Sequence, residues 1–145
     1  MPKKDREHEM QTKYIQLQVM KQQLTSLVEN KQAVDAKSAE LMVTIDALHS
    51  LEDVEKGKEM WSSLGSNVFV MSDIKDTEKV LVAIGAGVVA REKKERAIEI
   101  MQGRLDDIEK LSKEIVDEAS RIASQMQETE KELEKLAEEV SKTEK

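Results

Sequence analysis

Apolar residues recur along the first part of the chain in alternating steps of three and four. They fall at Leu17, Met20, Leu24 and Leu27, then at Val34, Leu41, Ile45 and Leu48, with Lys31 and Ser38 at the intervening places. Such a period keeps a narrow apolar stripe on one side of an α-helix, the pattern of a coiled-coil seam. The spacing predicts a helix over about residues 5–56, with Gly57 at the C′ position that closes it. The last third of the chain is more regular. Ile98, Met101, Leu105, Ile108, Ser112, Ile115, Ala119, Ile122, Met126, Thr129, Leu133, Leu136 and Val140 keep the same alternation, and only Ser112 and Thr129 are polar. This predicts a second helix over about residues 92–142. An amphipathic pair in an ordinary bundle would carry a wider apolar face. The only proline is Pro2, so neither helix has a forced kink. Gly103 falls at a solvent-facing heptad position, costing about 1 kcal/mol of helix propensity without touching the seam.

Between the helices the pattern changes to short β-branched runs separated by glycines. Four strands are predicted, over about residues 59–64, 67–73, 79–84 and 87–91. Gly65-Ser66 and Gly85-Ala86 read as two-residue hairpin turns, with Gly87 beginning the last strand. The fold class is therefore α+β dominated by helix: a long antiparallel coiled-coil hairpin in one domain, with two β-hairpins between its helices. Trp61, Leu64, Val68, Phe69, Val70, Ile74, Val80, Leu81, Val82, Ile84, Val88 and Val89 are too many apolar groups for one small sheet in water, and its edges are open. Hairpins from several chains closing a shared β-barrel body would cover them, so these residues are the candidate assembly surface.

The stretch Gly85-Ala86-Gly87-Val88-Val89-Ala90 also fits the glycine pattern of dinucleotide-binding folds. In such a fold a helix must begin inside the motif, so that its N–H groups meet the pyrophosphate. Here two valines follow the second glycine and favour a strand. The hairpin turn is the better account, and no phosphate-binding loop of the G-x-x-x-x-G-K-[ST] kind occurs elsewhere.

Composition narrows the function classes. Of 145 residues 37% are charged and 2% aromatic, so long helices with a narrow seam suit the chain better than a compact globule. A net charge of −7 argues against a phosphate-backbone partner. Without cysteine there is no disulfide or thiolate chemistry. The opening MPKKDREHEMQTKY has no apolar signal region, and no apolar run approaches a membrane span, so a cytoplasmic protein without membrane contact is expected. His8 and His49 lie far apart and suggest no metal site. Residues 91–96 form a charge run read as a solvated face, with an assembly contact as the alternative. No catalytic constellation, metal or cofactor is expected, and the chain is not read as an enzyme.

The end of the coiled coil built from the two chain termini carries more apolar surface than one partner helix covers. Tyr14, Ile15 and Val19 lie off the seam, beside Met10, Leu17 and Met20, with Leu133, Leu136 and Val140 opposite within a heptad of register. Coil ends fray, and methionine suits changing partners. These residues are candidate binding tips. The alternative is that Tyr14, Ile15 and Val19 are ordinary surface residues or touch a neighbouring helix.

The whole chain resembles prefoldin, the α class of subunit in its archaeal form. The most specific stretch is LGSNVFVMSDIKDTEKVLVAIGAGVVAREKKERAIEIM, Leu64 to Met101, whose G-S-x-V-F-V and V-x-V-x-I-G-A-G-V-V elements are similar to that family's hairpin motifs. Trp61-Ser62-Ser63 departs from the aliphatic first strand the resemblance leads one to expect. The resemblance implies a hexamer of two α-class and four β-class subunits, with a double β-barrel body and six coiled-coil tentacles. It further implies an ATP-independent holdase that grips unfolded polypeptides at the tentacle tips and delivers them to a group II chaperonin. A coiled-coil scaffold whose tips bind one fixed folded partner is the alternative.

Overall fold

The computed structural model describes residues 2–143. Helix α1 spans Lys3–Ser50, and a 3₁₀ turn, Leu51–Asp53, follows it. Strands β1 (Glu59–Gly65), β2 (Val68–Asp73), β3 (Lys79–Gly85) and β4 (Val88–Lys93) come next, then helix α2 (Lys94–Thr143). The strands make two separate antiparallel hairpins, β1–β2 and β3–β4. The chain divides into two compact units, one formed by the chain up to Ala36 and from Lys110 onward, the other by Lys37–Glu109.

In the first unit the opening of α1 runs beside the close of α2, and the seam sets their contact. Leu17, Ile115 and Ile122 are buried, while Met10, Met20, Leu24, Leu27, Ala119, Met126, Leu133, Leu136 and Val140 are half-buried. Ion pairs from Arg6 to Glu139 (3.8 Å) and from Lys13 to Glu132 fix the antiparallel order, since α1 numbers rise as α2 numbers fall.

In the second unit Leu41 and Ile45 of α1 meet Ala97, Met101 and Leu105 of α2 and Val82 of β3 in one buried cluster, with Val80, Leu48 and Ile98 packed around it. One face of β3–β4, carrying Val80, Val82 and Ala90, thus closes the core. Arg104 of α2 also donates to the Ala83 carbonyl oxygen. The backbone N–H of Lys94 donates to the Glu78 carbonyl (2.8 Å), so α2 starts directly from β4. The helix therefore begins at Lys94, and Arg91, Glu92 and Lys93 of the charge run belong to the strand.

Two local expectations are corrected. Helix α1 stops at Ser50, because the chain tightens into the 3₁₀ turn and becomes extended at Val54. Gly57 is accordingly not the helix C′ residue. It sits at φ +85° in the turn before β1, donating to the Ile74 carbonyl at 2.7 Å. The hairpin turns also lie one residue later than the glycine pairs suggest. Gly65 pairs with Val68 and Gly85 with Val88, leaving Ser66-Asn67 and Ala86-Gly87 as the loops, all four at positive φ. Such loops are type I′, whose twist matches that of the strands they join. An extra residue in each first strand, Leu64 and Ile84, forms a bulge that shifts the register by one.

Candidate functional site

Two apolar surfaces stand out, one in each unit. The first lies near the start of α1. Continuing the three-and-four alternation back from Leu17 gives Lys13, Met10 and Arg6, all at least partly covered. The seam here is half cationic, which the sequence reading missed because it followed apolar residues alone. Lysine and arginine stems cover apolar neighbours while their heads reach acids at the rim. Leu17 is only 8% exposed and belongs to the seam core. Met10, Met20, Leu133, Leu136 and Val140 line the same seam half-covered. Tyr14, Ile15 and Val19 are different: they lie off the seam, 61%, 60% and 46% exposed. Ile15, Val19 and Met20 line an open groove of about 490 Å³, bordered on α2 by Gln125, Glu128, Thr129 and Glu132. The nine candidate tip residues thus divide into six seam residues and three that face outward.

The second surface is the hairpins. Val82 is buried and Val80 and Ile74 are half-buried, so these are used largely within the chain. Trp61, Leu64, Val68, Phe69, Val70, Ile84, Val88 and Val89 remain exposed, and so do Met60, Met71 and Leu81. Hairpin β1–β2 carries apolar groups on both faces. Met60, Leu64, Val68 and Val70 share a face with the Ser62–Ser72 hydroxyl pair (2.5 Å), while Trp61, Phe69 and Met71 share the other. An exposed apolar surface of this extent marks an interaction site.

The link between the hairpins is held by one carboxylate. Asp76 Oδ1 accepts from the backbone N–H groups of Glu78 (2.8 Å) and Lys79 (3.1 Å), and Oδ2 accepts from Arg91 (3.1 Å). The two backbone donors, then Arg91, hold the Asp76 carboxyl below the usual aspartate range. On α2 the Arg121 guanidinium likewise lowers the Glu118 carboxyl. Among the described residues, no group of three or more His, Cys, Asp or Glu side chains is placed to hold a metal ion. No described helix is long and apolar enough to cross a membrane.

The prefoldin-subunit family matches residues 20–139, a span that takes in both hairpins and most of both helices. The chain belongs to the prefoldin family. The prefoldin α subunit of Archaeoglobus fulgidus is 29% identical over 127 residues, covering 88% of this chain and 93% of that protein. The prefoldin α subunit of Methanococcus vannielii is 31% identical over 134 residues, covering 92% of this chain and 85% of that protein. A cryo-EM structure of filamentous PFD from Methanocaldococcus jannaschii superposes with a TM-score of 0.71 at 19% identity, covering 77% of this chain and 93% of that one. At that identity the likeness is one of fold. Membership of the prefoldin family implies a chaperone-type subunit, and the two surfaces can be read in that light.

Proposed function

We propose that this chain is the α-class subunit of a cytoplasmic, ATP-independent holding chaperone. In this reading two copies join four β-class subunits through the exposed hairpin faces. The coiled-coil ends bind unfolded polypeptides and pass them to a group II chaperonin. The observation that carries the binding role is the outward placement of Tyr14, Ile15 and Val19, with no seam position to explain them. Met10, Met20, Leu133, Leu136 and Val140 lie half-covered in the adjoining seam and become available when the end frays. Several such weak sites on one assembly raise avidity far above that of any one contact, while each lets go quickly.

The test compares wild type with Tyr14→Ser/Ile15→Ser/Val19→Ser, each co-assembled with a β-class partner and matched for assembled mass and helicity. A chemically unfolded client is diluted into each complex and its aggregation followed by light scattering. Suppression by wild type and its loss in the triple variant is the expected result. Equal suppression by both refutes the assignment of these residues, and suppression by neither favours a scaffold with one fixed partner.

A further inference from the structure

One flank of the first unit differs from an ordinary coiled coil. The groove lined by Ile15, Val19 and Met20 continues, toward higher α1 numbers, into a second one of about 460 Å³, and Val19 lines both. The second opens over Leu27 and the buried Ile122, so the floor is apolar seam. From Lys13 to Leu27 the groove follows α1 for about 21 Å, at about 1.5 Å per residue. Ile15, Val19, Gln22 and Ser26 succeed one another at steps of four, three and four, and so share its outer wall. Tyr14 lies about 100° round the helix from Ile15 and about 140° from Val19, on the other flank.

The positions beside a coiled-coil seam ordinarily carry charges that pair between the helices. On this flank α1 offers Gln16 and Gln23 instead, against Glu118, Gln125 and Glu132 of α2. Between Tyr14 and Val28 the only charged residue is Lys21, two places from Val19 and therefore on the opposite side of the helix. Lys13 closes one end of the groove and is held by Glu132. Arg121 holds Glu118 from the same helix. Glu128 joins no ion pair among the described residues. The groove thus has an apolar floor, an amide wall and an acidic wall, and its lining sets three carboxylates against one lysine.

We propose that this groove takes client segments in which apolar residues stand beside lysine or arginine. The apolar groups lie on Ile15, Val19 and Met20, and the cation supplies the charge that α1 withholds from Glu128. Lysine and arginine suit the place because their stems cover apolar surface while their heads reach the rim. An acidic segment of the same apolar pattern is turned away by the carboxylates. The groove exists with both helices intact, so this grip needs no fraying of the coil end. The proposal rests on the holding role given above and names the class of client.

The test uses the full-length chain co-assembled with a β-class partner, and two short peptides carrying a fluorophore and a photoreactive group. Both have the same leucine pattern; one has lysine and the other glutamate at the remaining positions. Binding is read by fluorescence anisotropy at low ionic strength. Wild type should hold the lysine peptide about tenfold more tightly than the glutamate peptide, with a difference that shrinks as salt is added. Glu128→Lys should remove about tenfold of that preference, while Glu130→Lys, the same charge change two places on and so on the other side of α2, should leave it within about twofold. Val19→Ser should weaken both peptides. Cross-links mapped by mass spectrometry should fall on residues 15–27 and 118–132 of this chain. Equal binding of the two peptides, equal effects of Glu128→Lys and Glu130→Lys, or cross-links confined to the hairpins overturns the proposal. So does a doubling of assembled mass without peptide that Val19→Ser abolishes, which would put a second copy in the groove. If any of these occurs while the complex still suppresses aggregation of an unfolded client, the holding role stands and the client class alone is refuted. Loss of that suppression in wild type refutes the holding role itself.

Discussion

Lys13 holds a seam position where a coiled coil ordinarily carries an apolar side chain, and replacing it tests what sustains that end of the first unit. Its side chain is 21% exposed, and it pairs with Glu132, which is 54% exposed. The four methylenes of lysine and the four side-chain carbons of leucine cover similar apolar area, so that contribution nearly cancels in Lys13→Leu. The lost ion pair is worth roughly 0.5 kcal/mol at such exposure. Against it, leucine removes a partly desolvated ammonium and loses less rotamer freedom, a gain of about 1–2 kcal/mol. The net expectation is stabilisation by about 1 kcal/mol, or roughly 2–4 °C in melting temperature. Lys13→Ala removes three methylenes as well as the pair and should cost about 2 kcal/mol. The assay is thermal and urea unfolding followed by circular dichroism, at one fixed protein concentration because association shifts the apparent midpoint. The signs decide the matter: if Lys13→Leu destabilises as much as Lys13→Ala, the ion pair and not the seam packing holds this end.

Further expectations concern the hairpins. Asp76 has its folded pKa below the ordinary value near 3.8, held there first by the Glu78 and Lys79 N–H groups. Its stabilising contribution is therefore complete above about pH 4 and fades as pH falls through the lower folded value. Asp76→Asn should remove that acid-side dependence, seen as a smaller loss of urea midpoint between pH 5 and pH 2 than in wild type; an equal loss refutes it. Ala86 occupies φ +50° in the type I′ loop, a left-handed conformation that asparagine tolerates better. Ala86→Asn should raise stability by about 0.5–1 kcal/mol by creating the Asn-Gly pair such loops favour, and a lowered melting temperature would contradict it.

The helices and the hairpins were legible in the sequence because their periods differ and each holds over most of its element. The steps from Ile98 to Val140 point to one face of one helix, and all of those side chains are at least partly covered. What escaped were features that break a simple pattern. Arg6 and Lys13 occupy seam positions, yet their chemistry hides them from a search for apolar residues; extending the alternation back from Leu17 would have found them. The bulges at Leu64 and Ile84 displaced both turns by one residue, and a glycine does not reveal whether it begins the loop or precedes it. Leu81 and Val82 are adjacent and equally apolar. Alternation separates their faces but cannot say which one the helices will cover, and the core took Val82. The end of α1 escaped because no residue at Ser50 resembles a helix stop.

The exposed indole on β1–β2 has a practical use. Trp61 is the chain's only tryptophan. It shares its groove with Phe69, on the face of β1–β2 that also carries Met71. Its emission is therefore a built-in optical probe of one patch, without labelling. An indole in water emits to the red of one enclosed by apolar groups, so the colour of that single fluorophore reports whether this face is wet or covered. A soluble quencher would count the uncovered fraction.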